Sequence, residues 1–332
     1  MGRGILCFGE ALIDFLARPG DAPGAPRSFL QFAGGAPANV AVAVARLGGA
    51  AQFIGMLGED MFGDFLLGSL RDAGVGTSGI VRTDAAKTAL AFVALDDEGE
   101  RSFSFHRPPA ADLLFRDAHF QPAMFERAAS FHACSNSLTE PAIAEATFAG
   151  MRRARDAGAL ASVDLNLRPA LWPSDVDPHP WLWRLLDAAD LVKLARNELD
   201  YLAAPLGGEQ AVLARLFAGH ARLVLVTDGA ADMRWHARDA GGTVAGFRVR
   251  AIDTTAAGDA FVGGLLYRLA ERGIDAAGID AFVADAAAIE DAMRFAAACG
   301  ALAVTRHGAF AAMPTHAEVI RLLQDEDLHG PA

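Results

Sequence analysis

The sequence predicts an α/β protein with a central, mainly parallel sheet and helices on both faces of that sheet. Short apolar runs of strand length alternate with helical segments along most of the 332 residues, as in doubly wound sheets. With 52 % hydrophobic residues, the chain can bury a large core, either as one big domain or as two smaller ones. A hairpin pattern at residues 87–106 interrupts the alternation.

The first elements follow this alternation. Residues 4–9 (GILCFG) and 52–58 (QFIGMLG) are apolar runs of the length and composition of buried strands. Between them, residues 38–47 favour a helix that Gly48 and Gly49 would end. Residues 61–74 have the spacing of an amphipathic helix that ends at a glycine. A strand–helix–strand–helix order therefore opens the chain.

The segment KTALAFVALDDEGERSFSFH, residues 87–106, has a different pattern. Apolar and polar residues alternate with a period near two on either side of Asp96-Asp97-Glu98-Gly99. This is the pattern of a β-hairpin rather than of a strand–helix–strand unit. Inserted in an α/β chain, such a hairpin can form a small lid.

The α/β alternation resumes after the hairpin. Strands are expected at 128–134, 160–165, 190–194 and 222–227, and a helix at 139–158. The Ala-rich segment 259–304 is expected to be helical, with breaks near Gly273 and Gly278.

Composition excludes several classes of protein. A formal net charge of -12 repels nucleic acid, so no nucleic-acid partner is expected. No apolar run reaches membrane-spanning length, and the amino terminus lacks the pattern of a signal peptide. Cys7, Cys134 and Cys299 are far apart in sequence, which argues against a disulfide framework or a zinc site. We therefore expect a cytoplasmic protein without a membrane partner.

The segment DTTAAGDAFVGGLLYRL, residues 253–269, is the strongest candidate for a catalytic site. Ala256, Ala257 and Gly258 precede a helix expected to begin near Asp259. Small side chains let an anion approach the unpaired N–H groups at such a helix start. An acid in the same place can take a proton from an attacking hydroxyl. Alternatively, Asp259 is only the N-cap of the helix, a position that Asp favours.

Two further segments contain candidate binding residues. Gly34 and Gly35 precede a helix that carries Asn39, which could bind a ligand or simply belong to a tight turn. Asp164, Asn166 and Arg168 alternate just beyond an expected strand. Ligands bind at the carboxyl ends of parallel strands, although a solvated loop would have the same composition.

Several well-known motifs are missing from the sequence. It contains no GxxxxGK[ST], which argues against a P-loop kinase, and no GxGxxG after a strand. A dehydrogenase on a doubly wound sheet would need that glycine pattern. It also contains no GxSxG and no HExxH.

Two segments together resemble the ribokinase-like, or PfkB, family of sugar kinases. GGAPANVAVAVARLGG resembles the amino-terminal signature, and DTTAAGDAFVGGLL resembles the carboxyl-terminal signature, usually DTxGAGDxF. The similarity extends from Gly9 to Pro314. It implies one kinase domain over 1–332, with a small β-lid from about 11–33 and 87–110. Lid sheets of this family often form a dimer contact, so a homodimer through the lid is expected.

The resemblance also implies roles for residues on the sugar side. Asp259 matches the catalytic base, and Ala256, Ala257 and Gly258 match the anion hole that holds the transferring phosphoryl group. The positions that match sugar-binding residues are Asp14, Gly34, Gly35 and Asn39.

On the nucleotide side, the resemblance implies ATP, Mg²⁺ and a monovalent cation such as K⁺. Arg168 matches a phosphate contact, and Lys193 and Glu198 fall in the K-x-N-x-x-E segment, whose Glu organises hydrated Mg²⁺. The positions that match nucleotide-binding residues are Thr227, Asp228, Gly229, Ala296, Ala297 and Gly300. The positions that match the cation site are Asp253, Thr255, Ala303, Arg306 and Gly308.

The sequence departs from the family pattern at four of these positions. Ala256 replaces the first Gly of GAGD, so that loop must be compatible with ordinary dihedral angles. Ala195 replaces the Asn of K-x-N-x-x-E, Asp232 replaces the last Gly of VTxGxxG, and Leu165 replaces the Pro of DPN. None of these changes removes the base.

The lid segment resembles that of bacterial fructokinases. In those enzymes an Arg after the second lid strand reaches the sugar, and Arg107 matches it, with Ala111 and Asp112 matching the AD pair. His106 stands where the family has Tyr. Alternatively, Arg107 pairs with an acid at the rim. The resemblance implies D-fructose as substrate, with ribokinase and 2-dehydro-3-deoxygluconokinase as alternatives and a nucleoside kinase less favoured. A sugar sensor without catalysis is a further alternative.

Overall fold

A computed structural model describes residues 3–18, 26–95 and 101–329. The strands are β1 Gly4–Phe8, β2 Leu12–Arg18, β3 Ser28–Gly34, β4 Ala51–Gly58, β5 Gly76–Thr83, β6 Leu90–Leu95, β7 Arg101–His106, β8 Ala128–Cys134, β9 Leu160–Asp164, β10 Leu191–Ala195, β11 Leu223–Thr227, β12 Met233–His236 and β13 Gly241–Val244. The helices are α1 Ala36–Arg46, α2 Met61–Asp72, α3 Pro141–Asp156, α4 His179–Asp187, α5 Arg196–Ala203, α6 Glu209–Ala218, α7 Ala257–Glu271, α8 Ile279–Val283, α9 Ala286–Ala303 and α10 His316–His329.

The larger sheet has nine strands in the order β13-β12-β11-β10-β9-β8-β1-β4-β5. Every neighbouring pair from β11 to β5 is parallel, and the edge strands β12 and β13 are antiparallel. The expected fold class, a mainly parallel sheet between layers of helices, is confirmed. The carboxyl ends of the central parallel strands therefore lie together at one edge of the sheet.

Both faces of this sheet are buried, which explains why its strands are continuous apolar runs. In β1, Ile5 and Cys7 pack on one side among residues of α1, α7 and α9. Leu6 and Phe8 pack on the other side among residues of α3 to α6. Side chains alternate along a strand, so a run without polar residues supplies both cores.

Helices α1 and α7 pack unusually close together. A Cβ placed on Gly263 of α7 would lie 2.4 Å from Cβ of Ala43 in α1, so only glycine permits this approach. The contact brings Asn39 in α1 beside Asp259 in the first turn of α7. Two residues 220 positions apart in sequence thereby meet.

The smaller sheet is the lid. Its order is β3-β2-β6-β7, in which β2 pairs parallel with β6, and β2–β3 and β6–β7 are antiparallel. The two strands expected within 87–106 are confirmed as β6 and β7, while the proposed turn at Asp96–Gly99 lies outside the described residues. The other two lid strands come from residues 11–34.

The two faces of the lid have different surroundings. Across the lid strands, Asp14 lies opposite Phe32 in β3 and Ala91 in β6, and Ala91 lies opposite Phe105 in β7. These four residues therefore share one face of the lid. The next position along β2, Phe15, belongs to the opposite face, where its ring stacks on Phe92 at 5.2 Å.

Some elements differ from the sequence-based expectations. Helix α7 begins at Ala257 rather than near Asp259. Strand β5 and the edge strands β12 and β13 were not predicted. Among the described residues, no helix is long and apolar enough to cross a membrane.

Candidate functional site

A cavity of about 420 Å³ lies at the carboxyl ends of β9, β10 and β11 and at the amino end of α7. Its polar lining comes from the residues that follow these strands and from the start of the helix. These residues are Asp164, Asn166, Arg168, Lys193, Asn197, Glu198, Thr227, Thr254 and Asp259. Its apolar lining includes Met233, Phe247, Val249, Phe261, Ala297 and Val304.

A second cavity, of about 300 Å³, lies beneath the lid. It is lined by residues after β1, by the start of α1 and by lid residues. These include Glu10, Leu12, Asp14, Gly35, Asn39, Phe105 and Asn136. Both cavities are also lined by Asn166, Arg168, Thr254, Ala256 and Asp259. Ligands bound in the two cavities would meet at Asp259.

Asp259 is buried, with 9 % of its surface exposed, and Nδ2 of Asn39 donates a hydrogen bond to its Oδ2 at 2.7 Å. Burial raises the pKa of Asp259 to about 7. The charge of Asp164 adds to this rise in pKa. The hydrogen bond from Asn39 and the positive charges of Arg168 and Lys193 oppose the rise. A carboxyl group with a pKa near neutrality is suited to accept a proton at physiological pH.

The alternative role of Asp259, that of a helix N-cap, is wrong. The N-cap of α7 is Ala256, and Asp259 is the third residue of the helix. Its side chain bonds Asn39 rather than capping backbone N–H groups. The N–H groups of Gly258 and Asp259, in the first turn, have no intrahelical acceptor and remain available to an anion, whereas that of Ala257 has a long contact, 3.5 Å, to the carbonyl oxygen of Thr254.

Ala256 adopts left-handed backbone angles, with φ 59° and ψ 14°. The expectation that this loop has ordinary dihedral angles is therefore wrong. The family's glycine at this position would adopt such angles without strain, whereas alanine does so at a cost of roughly 1–2 kcal/mol. The turn at Ala256 directs residues 257–259 into the cavity.

The floor of the larger cavity contains a buried ion pair. Nζ of Lys193 lies 3.1 Å from Oδ1 of Asp164, and both side chains are buried. Burial opposes protonation of Lys193, but the charges of Asp164 and Glu198 outweigh it and raise its pKa. A Cβ on Gly258 would lie 3.1 Å from Nζ of Lys193, so the ammonium group sits directly against the helix start. This places a positive charge beside the N–H groups of the helix start.

Glu198 also lines the larger cavity. Its carboxylate accepts hydrogen bonds from the N–H groups of Leu167, at 2.8 Å, and Ala195, at 2.7 Å. Burial raises the pKa of Glu198 most, and the charge of Asp164 raises it further. The described residues contain no cluster of three or more acidic, His or Cys side chains that would hold a metal directly. A single fixed carboxylate fits Mg²⁺ that keeps its waters and arrives with nucleotide phosphates.

The structure brings most of the expected nucleotide-binding residues together. Arg168, Lys193, Thr227, Gly229, Ala297 and Gly300 line the larger cavity. Ala296 is fully buried in α9 and does not line it, and Asp228 does not line it either. The sequence-based expectations missed the apolar wall of Met233, Phe247 and Val249.

On the sugar side, Asp14, Gly35 and Asn39 line the smaller cavity, whereas Gly34, which was also expected there, does not. A Cβ on Gly34 would lie 2.2 Å from Oδ2 of Asp14, so glycine is required for the carboxylate to take its position. Gly35 has φ 105°, and its Cβ would lie 2.5 Å from the carbonyl oxygen of Glu10. The glycine pair therefore permits close packing of the backbone against Asp14 and Glu10, while contact of these glycines with a sugar stays a prediction.

Arg107 does not line either cavity, contrary to the position expected from the sequence. Its guanidinium is 2 % exposed and donates to Oδ2 of Asp112 at 2.9 and 2.6 Å. It also donates to the carbonyl oxygen of Asn136 at 2.7 Å. The pairing with an acid is the alternative raised from the sequence, except that the pair is buried rather than at the rim.

The residues expected to hold a monovalent cation come from two neighbouring loops. The carboxylate of Asp253 accepts hydrogen bonds from the N–H of Thr255 at 2.8 Å and from the N–H of Gly308 at 3.1 Å. It thereby ties the segment before α7 to the segment after α9, where Arg306 lies; Ala303 is the last residue of α9. The carboxylate thus brings the two segments together, and their role in holding K⁺ stays a prediction.

The fold and the site define a class. Two cavities that meet at a buried carboxylate and at the start of a helix fit a sugar phosphotransferase. The model of the pfkB family of carbohydrate kinases matches residues 3–316, and the chain belongs to that family. The expected family is thus confirmed.

Relatives share this architecture over nearly their whole length. The chain is 43 % identical to Fructokinase-1 of Oryza sativa subsp. japonica over 96 % of this chain and 97 % of that protein. It is similar to a crystal structure of fructokinase with bound ATP from Xylella fastidiosa, with a TM-score of 0.95 and 61 % identity over 98 % of this chain and all of that one. A fructokinase from Vibrio cholerae O395, bound to fructose, ADP and calcium ion, has a TM-score of 0.82 and 32 % identity over 97 % of this chain and 99 % of its own.

Proposed function

We propose that the protein phosphorylates D-fructose with ATP, giving D-fructose 6-phosphate and ADP. The position of Asp259 at the junction of the two cavities carries this proposal. Fructokinases among both the sequence relatives and the structural neighbours support fructose over ribose and 2-dehydro-3-deoxygluconate.

In this reaction the sugar lies in the cavity beneath the lid, with its 6-hydroxyl against Asp259. The carboxylate takes the hydroxyl proton while the oxygen forms a bond to the γ-phosphorus. The bond from that phosphorus to the β,γ-bridging oxygen breaks, and ADP leaves. Asn39 holds the carboxylate in place through its 2.7 Å hydrogen bond.

The start of α7 stabilises the phosphoryl group during transfer. The N–H groups of Ala257, Gly258 and Asp259 face charge that spreads over the equatorial oxygens. Lys193 and Arg168 supply positive charge from the floor and the rim of the cavity. These contacts orient the phosphate chain in line with the sugar hydroxyl.

Glu198 is the residue that would hold hydrated Mg²⁺, which neutralises phosphate charge when bound. Asp253, Thr255, Ala303, Arg306 and Gly308 would hold K⁺ beside the helix start. Met233, Phe247 and Val249 supply an apolar wall on which an adenine can pack.

We further propose that the enzyme works in the cytoplasm as a homodimer joined through the lid. Cys7, Cys134 and Cys299 are buried and unpaired, which fits a reducing compartment. Phe29 of the lid is 47 % exposed, and Met61 and Phe65 of α2 are 72 % and 40 % exposed. An exposed apolar patch of this kind is typical of an interface.

The test of substrate is ADP release with ATP, Mg²⁺ and K⁺ across fructose, ribose, 2-dehydro-3-deoxygluconate, glucose, tagatose and adenosine. Turnover on fructose well above the others is expected. Strong turnover on another sugar alone would keep the site but reject fructose. Sugar binding without ADP release on any of them would favour a sensor.

A further inference from the structure

Asn136 is a buried polar residue of the sugar cavity that the proposed reaction does not use. It follows β8, at the same edge of the sheet as the other site residues. Its surface is only 6 % exposed, and it lines the cavity beneath the lid. Its Oδ1 has no hydrogen-bond partner among the described residues. A buried acceptor of this kind is costly unless a ligand or water supplies a donor.

The orientation of the Asn136 amide follows from its neighbours. Nδ2 of Asn136 donates to Oε1 of Glu10 at 2.9 Å, and the same oxygen accepts the N–H of Ala36 at 3.3 Å. Because Oε1 of Glu10 accepts the N–H of Ala36, it carries no proton to donate, so the amide nitrogen of Asn136 must face it. The amide oxygen is then the atom that Asn136 offers to a ligand.

The backbone of Asn136 is fixed as well. Its carbonyl oxygen accepts a hydrogen bond from Nη1 of Arg107, which itself is paired with Asp112. The residue is therefore held from two sides, by Glu10 after β1 and by Arg107 after the lid strand β7. A side chain held in this way loses little conformational entropy when it binds a ligand.

The location of Asn136 tells which part of a ligand it meets. The two cavities share Asn166, Arg168, Thr254, Ala256 and Asp259, and the phosphoryl group is transferred among these residues. Asn136 lines only the cavity beneath the lid. It therefore faces a part of the sugar other than the reacting hydroxyl.

We propose that Oδ1 of Asn136 accepts a hydrogen bond from a non-reacting hydroxyl of the sugar, and that Glu10 is a positioning residue that sets the amide for it. This role rests on the proposed function and adds a determinant of sugar specificity to it. An acceptor in a closed site rejects an analogue that lacks the matching hydroxyl, because the acceptor is then left unpaired.

The test compares fructose with its 1-, 3- and 4-deoxyfluoro analogues, since fluorine replaces a hydroxyl without donating a hydrogen bond. On the wild-type enzyme, kcat/KM for one analogue should fall at least about tenfold more than for the others. Asn136→Ala should lose that discrimination, with a higher KM for fructose. Asn136→Asp keeps an acceptor toward the sugar and, with its other oxygen protonated and donating to Glu10, should retain the discrimination.

Two further variants keep this test decisive. Ser137→Ala is the matched control, since Ser137 is adjacent, buried and outside both cavities. It should leave the analogue pattern unchanged. Glu10→Leu removes the oxygen that accepts the Asn136 amide nitrogen, so it should weaken the discrimination even where Asn136→Ala does not fold.

The outcomes separate this inference from the proposed function. No wild-type turnover of fructose would overturn both. Turnover of fructose with equal losses for all analogues, or with the same analogue pattern in Asn136→Ala as in the wild type, would overturn the role of Asn136 alone. An unchanged pattern in Glu10→Leu would overturn the positioning role of Glu10.

Discussion

The pKa of the Asp259 carboxyl group lies close to physiological pH. Burial raises its pKa to about 7, although the N–H of Asn39 and the charges of Arg168 and Lys193 favour the carboxylate. Only the ionised form can accept the hydroxyl proton. The proton affinity of one side chain thus sets the pH range of the reaction.

The pH profile of kcat/KM checks this environment. It should fall about tenfold per pH unit below about 7 and level off above it, because protonation removes the base. Asn39→Ala removes a hydrogen bond that stabilises the carboxylate, so its inflection should move to higher pH. A profile that stays flat between pH 5.5 and 8 would contradict the assignment.

Ala256 offers a second test at the residue scale. Because its φ is 59°, removing its Cβ should relieve strain. Ala256→Gly should leave the free energy of unfolding unchanged or raise it by up to about 1 kcal/mol, as denaturant midpoints would measure.

Ala257→Gly is the control for that change, one residue later at the first position of α7. It should lower the free energy of unfolding by about 0.5–1 kcal/mol, because glycine loses more backbone entropy in a helix. Equal losses in the two variants would mean that Ala256 is not strained.

The sequence predicted much of the site but not all of it. Asp259, Asn39 and Arg168 were predictable because each follows a small-residue turn or a strand end. Glu10 and Asn136 could have been found by the same rule, since each follows a buried strand, but nothing marked them as more than loop residues. The buried position of Arg107 depends on Asp112 and Asn136, which only the tertiary structure brings together.

Arg107, which forms a buried ion pair with Asp112, connects the lid to the larger sheet. Arg107 follows β7 and pairs with Asp112 at 2.6 Å, and it also bonds the backbone after β8. Burial raises the pKa of Glu10, and the charge of Arg107 opposes that rise. The positive charge of Arg107 therefore lies beside two buried acids, Asp112 and Glu10, at the base of the lid.

Removal of Arg107 should be strongly destabilising. Arg107→Met should lower the free energy of unfolding by about 3–5 kcal/mol, because it leaves buried carboxylates without a partner. Arg153→Met is the control, since Arg153 pairs with Asp117 at the surface, and it should cost at most about 1 kcal/mol. Chemical unfolding measures both, and similar losses would contradict the anchoring role.

The sequence predicted the order of the strands and helices better than it predicted how many strands there are. Apolar runs identified the parallel strands because both faces are buried. Strand β5, GTSGIVRT, was not predicted because an edge strand needs no continuous apolar run. Strands β2 and β3 were expected only from the family resemblance, since half-exposed lid strands have weak patterns.

Across the whole molecule, the apolar surface near the lid is the feature that a dimer would cover. Phe29 stands beside Phe15 and Phe92, at ring distances of 6.3 and 5.5 Å, on the face of the lid opposite Asp14. The wild-type protein should therefore sediment as a dimer, and Phe29→Asp should shift it toward the monomer.

Ala214→Asp is the control for added charge, because Ala214 is exposed on α6, on the other face of the larger sheet. It should leave the sedimentation coefficient unchanged. A wild-type monomer at micromolar concentration, or a Phe29→Asp dimer as stable as the wild type, would rule out this interface.

The most direct test of the central claim is the turnover of Asp259→Asn, measured beside its affinity for fructose by calorimetry. The isosteric amide can still accept the hydrogen bond from Asn39 but cannot take a proton. We expect kcat to fall by about 10²–10⁴-fold with fructose affinity within a few-fold of the wild type, and Asp200→Asn, a change of an exposed residue, to be fully active. An Asp259→Asn enzyme with near wild-type kcat would contradict the account of this protein as a kinase that uses Asp259 as its base.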